Sequence, residues 1–335
     1  MRIIPGTLSL QQTPLWQTSL ARAITDPEEL LRLLDLPLDS LPASRMASQE
    51  FRLRVPRGFA ARMRKRDLND PLLRQVLPLA EELAETPGFS RDPLEELNAM
   101  PVPGVLHKYQ GRILLTATGS CAVHCRYCFR RHYPYSEANP GRAPEQTFEY
   151  VRRHTEINEV ILSGGDPLTL TDTRLSQLVA RLEALPHITR LRIHSRVPVV
   201  LPERVDANLL DWIDKSRLQV VLVIHANHAN EIDGDVRDAM RTLREAGVTL
   251  LNQSVLLRGI NDSVGALAEL SEALFLAGVL PYYLHQLDSV QGAAHFDVTD
   301  SKAINLINQL RTSLPGYLLP KLVREIPGQA SKTSV

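Results

Sequence analysis

The chain has 335 residues, 44% hydrophobic and 23% charged, a globular balance that excludes wholesale disorder. Its 38 lysines and arginines equal its 38 aspartates and glutamates, so the net charge is zero and a whole-chain electrostatic grip on nucleic acid or anionic lipid is not expected. No apolar run approaches the roughly 20 residues that a membrane span needs.

The N-terminal MRIIPGTLSLQQTP lacks the charged-then-apolar layout of a secretory signal, so a soluble, cytoplasmic protein is expected. Up to about residue 105 the chain reads as short helices separated by prolines. Thr25-Asp26-Pro27-Glu28-Glu29 opens one helix with a capping oxygen, a first-turn proline and acids at the positive end of the dipole; it stops before Pro37. A second helix is expected over Pro71–Leu83. Between them Arg52, Arg54, Arg57, Arg62, Arg64, Lys65 and Arg66 form a basic stretch without an acid. It reads either as a solvated or salt-bridged face or as a docking patch for an anionic partner.

From about residue 112 the pattern alternates. Strands are expected at Ile113–Thr118, Glu159–Ser163, Arg190–Ser195, Gln219–Ile224, Val248–Ser254 and Leu280–His285. Helical-period segments separate them near 144–154, 173–185, 206–216, 233–246, 263–277 and 300–313. Such alternation implies parallel βαβ units, and six of them make a partial, TIM-like (βα)6 barrel behind an N-terminal helical extension. Chemistry in such folds collects at the C-terminal ends of the strands. The last residues, GQASKTSV, are small and polar and are expected to be mobile.

Directly after the first strand of this series stand Cys121, Cys125 and Cys128, the only cysteines of the chain. Three thiolates on one loop suit a soft inorganic centre, zinc or iron–sulfur, rather than a disulfide framework. A structural zinc site wants four ligands, and His124 or His132 would have to supply the fourth. A cubane cluster on three cysteines leaves one iron open to a small molecule.

The Cx3CxxC spacing, with Tyr127 before the last cysteine, resembles the signature of the radical S-adenosylmethionine (SAM) family, and Ser163-Gly164-Gly165-Asp166-Pro167 at the end of the next strand agrees with it. Glycine at such a strand end lets backbone approach a ligand closely. Further segments, among them CRYCFRRHYPY, LRIHSRVPVVLP, LLNQSVLLRGIND, PYYLHQLDSVQGAAHF and GYLLPKLVREIPG, resemble the lysine 2,3-aminomutases. VPRGFAARM and DPLLRQVLP resemble most the short EpmB branch, which supplies β-lysine for modification of translation elongation factor P. The longer enzymes carry further C-terminal cysteines, whereas this chain stops three residues after Lys332.

The resemblance implies a division into an N-terminal helical region 1–105, a barrel 106–320 and a C-terminal segment 321–335. It implies a 4Fe-4S cluster on Cys121, Cys125 and Cys128, with SAM on the open iron. Gly164, Gly165 and Asp166 would line the amino end of SAM, with Ser195, His225 and Gln253 nearby. It implies pyridoxal 5′-phosphate (PLP) on Lys332 as a Schiff base, with Arg112 and Lys108 toward its anionic groups. Substrate lysine would meet Arg130 at its α-carboxylate, and Asp288 and Glu325 at its distal ammonium, Glu325 standing where the longer enzymes have aspartate. The implied reaction is the conversion of L-lysine to (R)-β-lysine through a 5′-deoxyadenosyl radical and a PLP aldimine. An external electron donor and a functional link to elongation factor P and its lysyl ligase follow from it; a homo-oligomer is compatible with the sequence. Three other readings are an aminomutase of another amino acid, a PLP-independent radical SAM enzyme that modifies RNA, and a zinc-binding interaction module.

Overall fold

The computed structural model describes residues 13–136, 138 and 144–335; the reading of the extreme N-terminus falls almost wholly outside them. Four helices come first: α1 (Leu15–Ala21), α2 (Pro27–Leu33), α3 (Leu41–Glu50) and α4 (Arg57–Ala60). In α2 the expected cap is present, with the Asp26 carboxylate accepting from Glu28 N at 3.0 Å. The expected helix over Pro71–Leu83 does not form. Only two short 3-10 turns stand there, Leu73–Gln75 and Ala80–Leu83. Pro78 lies in the middle of the segment, has no N–H to donate and clashes with the preceding turn.

The barrel begins with the hairpin β1 (Val105–Tyr109) and β2 (Arg112–Thr118). It continues through α5 (Pro144–Arg153), β3 (Glu159–Gly164), α6 (Asp172–Glu183), β4 (Arg190–Ser195), α7 (Val197–Val200), α8 (Ala207–Asp214), β5 (Gln219–Ile224) and α9 (Gly234–Glu245). Then follow β6 (Thr249–Val255), α10 (Val264–Leu276), β7 (Leu280–His285), α11 (Asp300–Ser313), β8 (Lys321–Arg324) and β9 (Thr333–Ser334). The sheet order is sequential, β1 to β9. Strands β2 to β8 run parallel, while β1 and β9 pair antiparallel at the two ends, so the sheet is mixed and does not close. Each expected strand is present within two residues of its expected ends. Strands β1, β8 and β9 are additional.

The helices follow from local rules. Asp206, Asp233, Ser263 and Thr299 each cap the helix that follows by accepting a backbone N–H. Leu267, Leu270 and Leu274 of α10 are buried, as their spacing requires. One apolar core runs from Trp16, Leu30 and Phe59 through Leu115, Leu162 and Ile193 to Leu250, so the N-terminal helices and the barrel share it. No described helix is long and apolar enough to cross a membrane.

Two further expectations meet the structure here. The basic stretch is mostly paired within the chain: Arg57 with Glu29, Lys65 with Asp35 (3.4 Å) and Arg64 with Asp70 (3.5 Å). Arg62 donates to the carbonyls of Val199 and Glu231, each at 2.7 Å. The tail expected to be mobile is instead docked. Thr333 and Ser334 pair with Arg324 and Val323 of β8, because that parallel edge offers unpaired backbone groups that a short antiparallel strand satisfies.

Candidate active site

The cysteine loop leaves β2 and is fastened to the N-terminal region. His124 N donates to Arg54 O (3.0 Å) and Arg126 N to Gln75 O (2.9 Å). His124 Nδ1 donates to Arg52 O (2.8 Å), and its ring stacks on Phe51. His132 Nε2 donates to Gln291 O (3.3 Å). Beneath the loop Glu82 pairs with both Arg126 and Arg131, and all three side chains are at most 2% exposed. A buried charge is tolerated only when it is paired. Removing one partner of such a cluster costs about 3–5 kcal/mol. Glu82→Ala is therefore expected to lower stability by about that amount, read as a shift of the denaturant midpoint of the cluster-free protein; an unchanged midpoint would count against the pairing.

The three thiols are free, half-buried and not drawn into a preformed cage among the described residues. Burial, followed by the charge of the neighbouring cysteines, raises the Cys121 thiol well above its ordinary range. Burial and the Cys125 charge raise that of Cys128 to about 11. Charge on one cysteine disfavours charge on its neighbours, and a cationic centre bound to all three would relieve this. The donor set thus fits a sulfur-bound metal cluster.

The turn after β3 packs on this loop. Gly164 has φ +108°, and a Cβ on it would stand 2.8 Å from Thr118 O; a Cβ on Gly165 would stand 2.4 Å from Ser120 O. Both glycines thus admit the backbone of the cysteine loop, where the sequence reading expected close approach to a ligand. Gly165 N and Asp166 N donate to Thr118 O and Ser120 O, both at 2.7 Å. The Asp166 carboxylate accepts from Ser195 Oγ (2.7 Å), Arg196 N (2.7 Å), Val197 N (3.1 Å) and Leu168 N (3.1 Å). Asp166 and Ser195 therefore meet, tying the ends of β3 and β4 together.

Arg196, which the sequence reading did not single out, is buried and donates to Cys125 Sγ (2.7 Å), Tyr127 Oη (2.8 Å), Gln75 Oε1 (2.6 Å) and Glu231 Oε2 (2.9 Å). Nothing in its spacing marks it; only the approach of four separate segments does. Gln253 Nε2 donates to His225 Nε2 (2.9 Å), so these two expected residues also meet. Burial, and then the charges of Arg196 and Arg130, brings His225 down to about 3, leaving a neutral imidazole.

The remaining expected residues gather around one run of alternating charges. Arg130 binds Glu96 through two nitrogens (2.6 and 2.9 Å). Glu96 accepts from Lys108 (3.2 Å), Lys108 donates to Glu325 (2.8 Å), and Glu325 accepts from Lys332 (2.9 Å). Lys332 also lies 5.7 Å from the ring centre of Tyr283. Arg112 stacks over Tyr109 at 4.5 Å. The buried Nε2 atoms of His194 and His285 have no hydrogen-bond partner among the described residues, and the charge of Lys332 adds to the burial that keeps both rings neutral. Such orphaned polar atoms around an amine fit a polar ligand, as PLP is.

A cavity of about 250 Å³, walled in part by Leu94, Leu287 and Ser90, has Asp288 and Glu325 in its lining. Burial opposes the charge of Glu325, but Lys332 and Lys108 more than reverse it and hold its carboxyl well below the ordinary range. Asp288 makes no ion pair among the described residues, and the charges of Lys332 and Lys108 offset its burial only in part. Burial and then the Glu325 charge push it up to about 7.

Residues 115–270 match the family model described as the Radical SAM superfamily. Over 329 residues the chain is 55% identical to an L-lysine 2,3-aminomutase of Escherichia coli K12, covering 98% of this chain and 96% of that one. It is 49% identical over 335 residues to an L-lysine 2,3-aminomutase of Haemophilus influenzae, covering 99% of each. It is 36% identical over 322 residues to that of Clostridium subterminale, covering 96% of this chain and 77% of its relative.

Proposed function

Because the chain belongs to the lysine 2,3-aminomutase family of the radical SAM superfamily, and is thus an isomerase of the aminomutase type, we propose that it converts L-lysine to (R)-β-lysine. The observation that carries this reading is the charge run from Arg130, two residues past Cys128, to Lys332. It joins the cysteine loop to the tail amine through groups matched to both ends of an amino acid with a distal ammonium.

In this reading Cys121, Cys125 and Cys128 hold a 4Fe-4S cluster. The turn at Gly164, Gly165 and Asp166, with Ser195, His225 and Gln253, forms the wall for SAM. Lys332 holds PLP, with Arg112 and Lys108 as the cations nearest its anionic groups. SAM on the reduced cluster supplies a carbon radical, and PLP supplies a carrier for the migrating nitrogen. Arg130 presents a planar fork to the substrate carboxylate. Asp288 and Glu325 receive its ammonium, the longer Glu325 reaching further than an aspartate. Neutral His225 accepts the amide N–H of Gln253 and so fixes that side chain. The product is proposed to serve the ligase that modifies elongation factor P in the cytoplasm, and an external donor is proposed to reduce the cluster.

The test is anaerobic incubation with lysine, SAM, PLP and a reductant, followed by chiral analysis. β-Lysine is expected. Rearrangement of arginine or glutamate but not lysine would overturn the assignment. A pH dependence accompanies it. Asp288 is charged above about pH 7 and neutral below, so its attraction for the ammonium is lost as pH falls. KM for lysine is expected to rise by about tenfold per pH unit below that point. In Asp288→Asn the weak binding becomes uniform and the acid limb disappears; an acid limb that persists would place the titration elsewhere.

A further inference from the structure

Glu96 is one of the least exposed carboxylates of the chain, at 3%, yet it comes from the N-terminal region rather than from the barrel. It opens the 3-10 turn Glu96–Ala99, whose first N–H is held by Asp92 Oδ1 at 3.2 Å. The segment just before it is stitched to the loop that carries Asp288. Ser90 N donates to Ser289 O (2.9 Å), and Gln291 N donates to Ser90 O (2.8 Å). The backbone thus delivers Glu96 to the site from a fixed direction.

A guanidinium offers two bidentate edges, one through Nε and Nη2 and one through Nη1 and Nη2. Glu96 occupies the first of these on Arg130, at 2.6 and 2.9 Å. Nη1 makes only longer contacts, 3.2 Å to Ser163 Oγ and 3.4 Å to Gly164 O. The second edge is the one left for an incoming carboxylate. Burial raises the Glu96 carboxyl, but Arg130 and then Lys108 more than reverse this, so it stays ionised and remains a clamp.

We propose that Glu96 is a positioning residue for substrate recognition: it grips the Nε–Nη2 edge of Arg130, so that the adjoining Nη1–Nη2 edge is presented in one orientation to the substrate α-carboxylate. The inference rests on the function proposed above, and it adds a specificity element outside the barrel. An arginine without this clamp has several rotamers to choose from, and substrate binding has to fix one of them. Through Arg130 the clamp acts on the carboxylate end of the substrate.

The experiment compares wild-type holoenzyme with Glu96→Gln and Glu96→Asp, using L-lysine as substrate and L-lysinamide, which lacks the carboxylate, as a competing ligand. For Glu96→Gln the KM for lysine is expected to rise at least tenfold and kcat to fall less than threefold. The inhibition constant of lysinamide should stay within twofold, and iron, sulfide and bound PLP should be unchanged. Glu96→Asp, which keeps the charge but retracts it, should fall between. Equal weakening of lysine and lysinamide would overturn the proposal, as would tighter lysine binding. Should Glu96→Gln fail to load its cofactors, Glu96→Asp decides: an unchanged ratio of the two constants overturns the proposal. If the enzyme rearranges a different amino acid, the lysine assignment falls by itself. The same ratio, measured with that acid and its amide, then judges Glu96 separately.

Discussion

Lys332→Ala is expected to lose turnover by about 10⁴-fold or more, the scale on which a covalently held reactant exceeds a freely diffusing one. The side chain is well placed to act. Its amine is 2.9 Å from Glu325 and faces Tyr283, and its charge acts on His194 and His285, whose Nε2 atoms have no partner among the described residues. Its backbone neighbours Thr333 and Ser334 are fixed by β8, so loss of the side chain leaves the tail in place. The variant should therefore fold with an unchanged denaturant midpoint, and its Glu325 should keep Lys108 as partner. Borohydride reduction followed by mass spectrometry should find PLP on Lys332 in the wild type and no modified lysine in the variant. A PLP adduct found on another lysine would reassign the role.

The second large effect concerns the cysteine loop. Cys125→Ala is expected to remove the cluster and bring turnover to background, because a thiolate ligand is lost and no other cysteine exists in the chain to replace it. The loop itself should survive. Arg196 loses its contact to Cys125 Sγ but keeps Glu231 and Gln75, and Arg126 keeps Glu82. Iron and sulfide analysis of protein prepared without oxygen, with electron paramagnetic resonance of the reduced sample, separates cluster loss from misfolding. Zinc without sulfide in the wild type would favour the interaction-module reading.

The parallel strands were legible because each is an apolar run ended by a turn, and β4, β5 and β7 stand where those runs do. The added strands carried no such signal. β8 has four residues and β9 two, and their pairing is decided by an open sheet edge that only the folded barrel creates. The helix expected over Pro71–Leu83 is interrupted at Pro78, which has no N–H to donate within it. At the site, the three cysteines were legible by spacing. Arg196 and Glu96 were not: each is a polar residue in an irregular segment, and it becomes buried only because distant segments close around it. Asp166 and Ser195 were legible as strand-end residues, but their contact with each other was not, since it joins β3 to β4.

The arrangement of counter-ions bears on how such a barrel is trimmed or transplanted. Arg126 and Arg131 take their carboxylate from Glu82 and Arg130 takes its own from Glu96, so these acids precede β1, whereas Arg196 has Glu231 within the barrel. A minimal barrel excised at Val105 would enclose the guanidinium groups of Arg126, Arg130 and Arg131 stripped of their neutralising acids, and the cysteine loop would lose its footing. An engineer seeking a compact radical catalyst should accordingly carry the helical collar along with the strands.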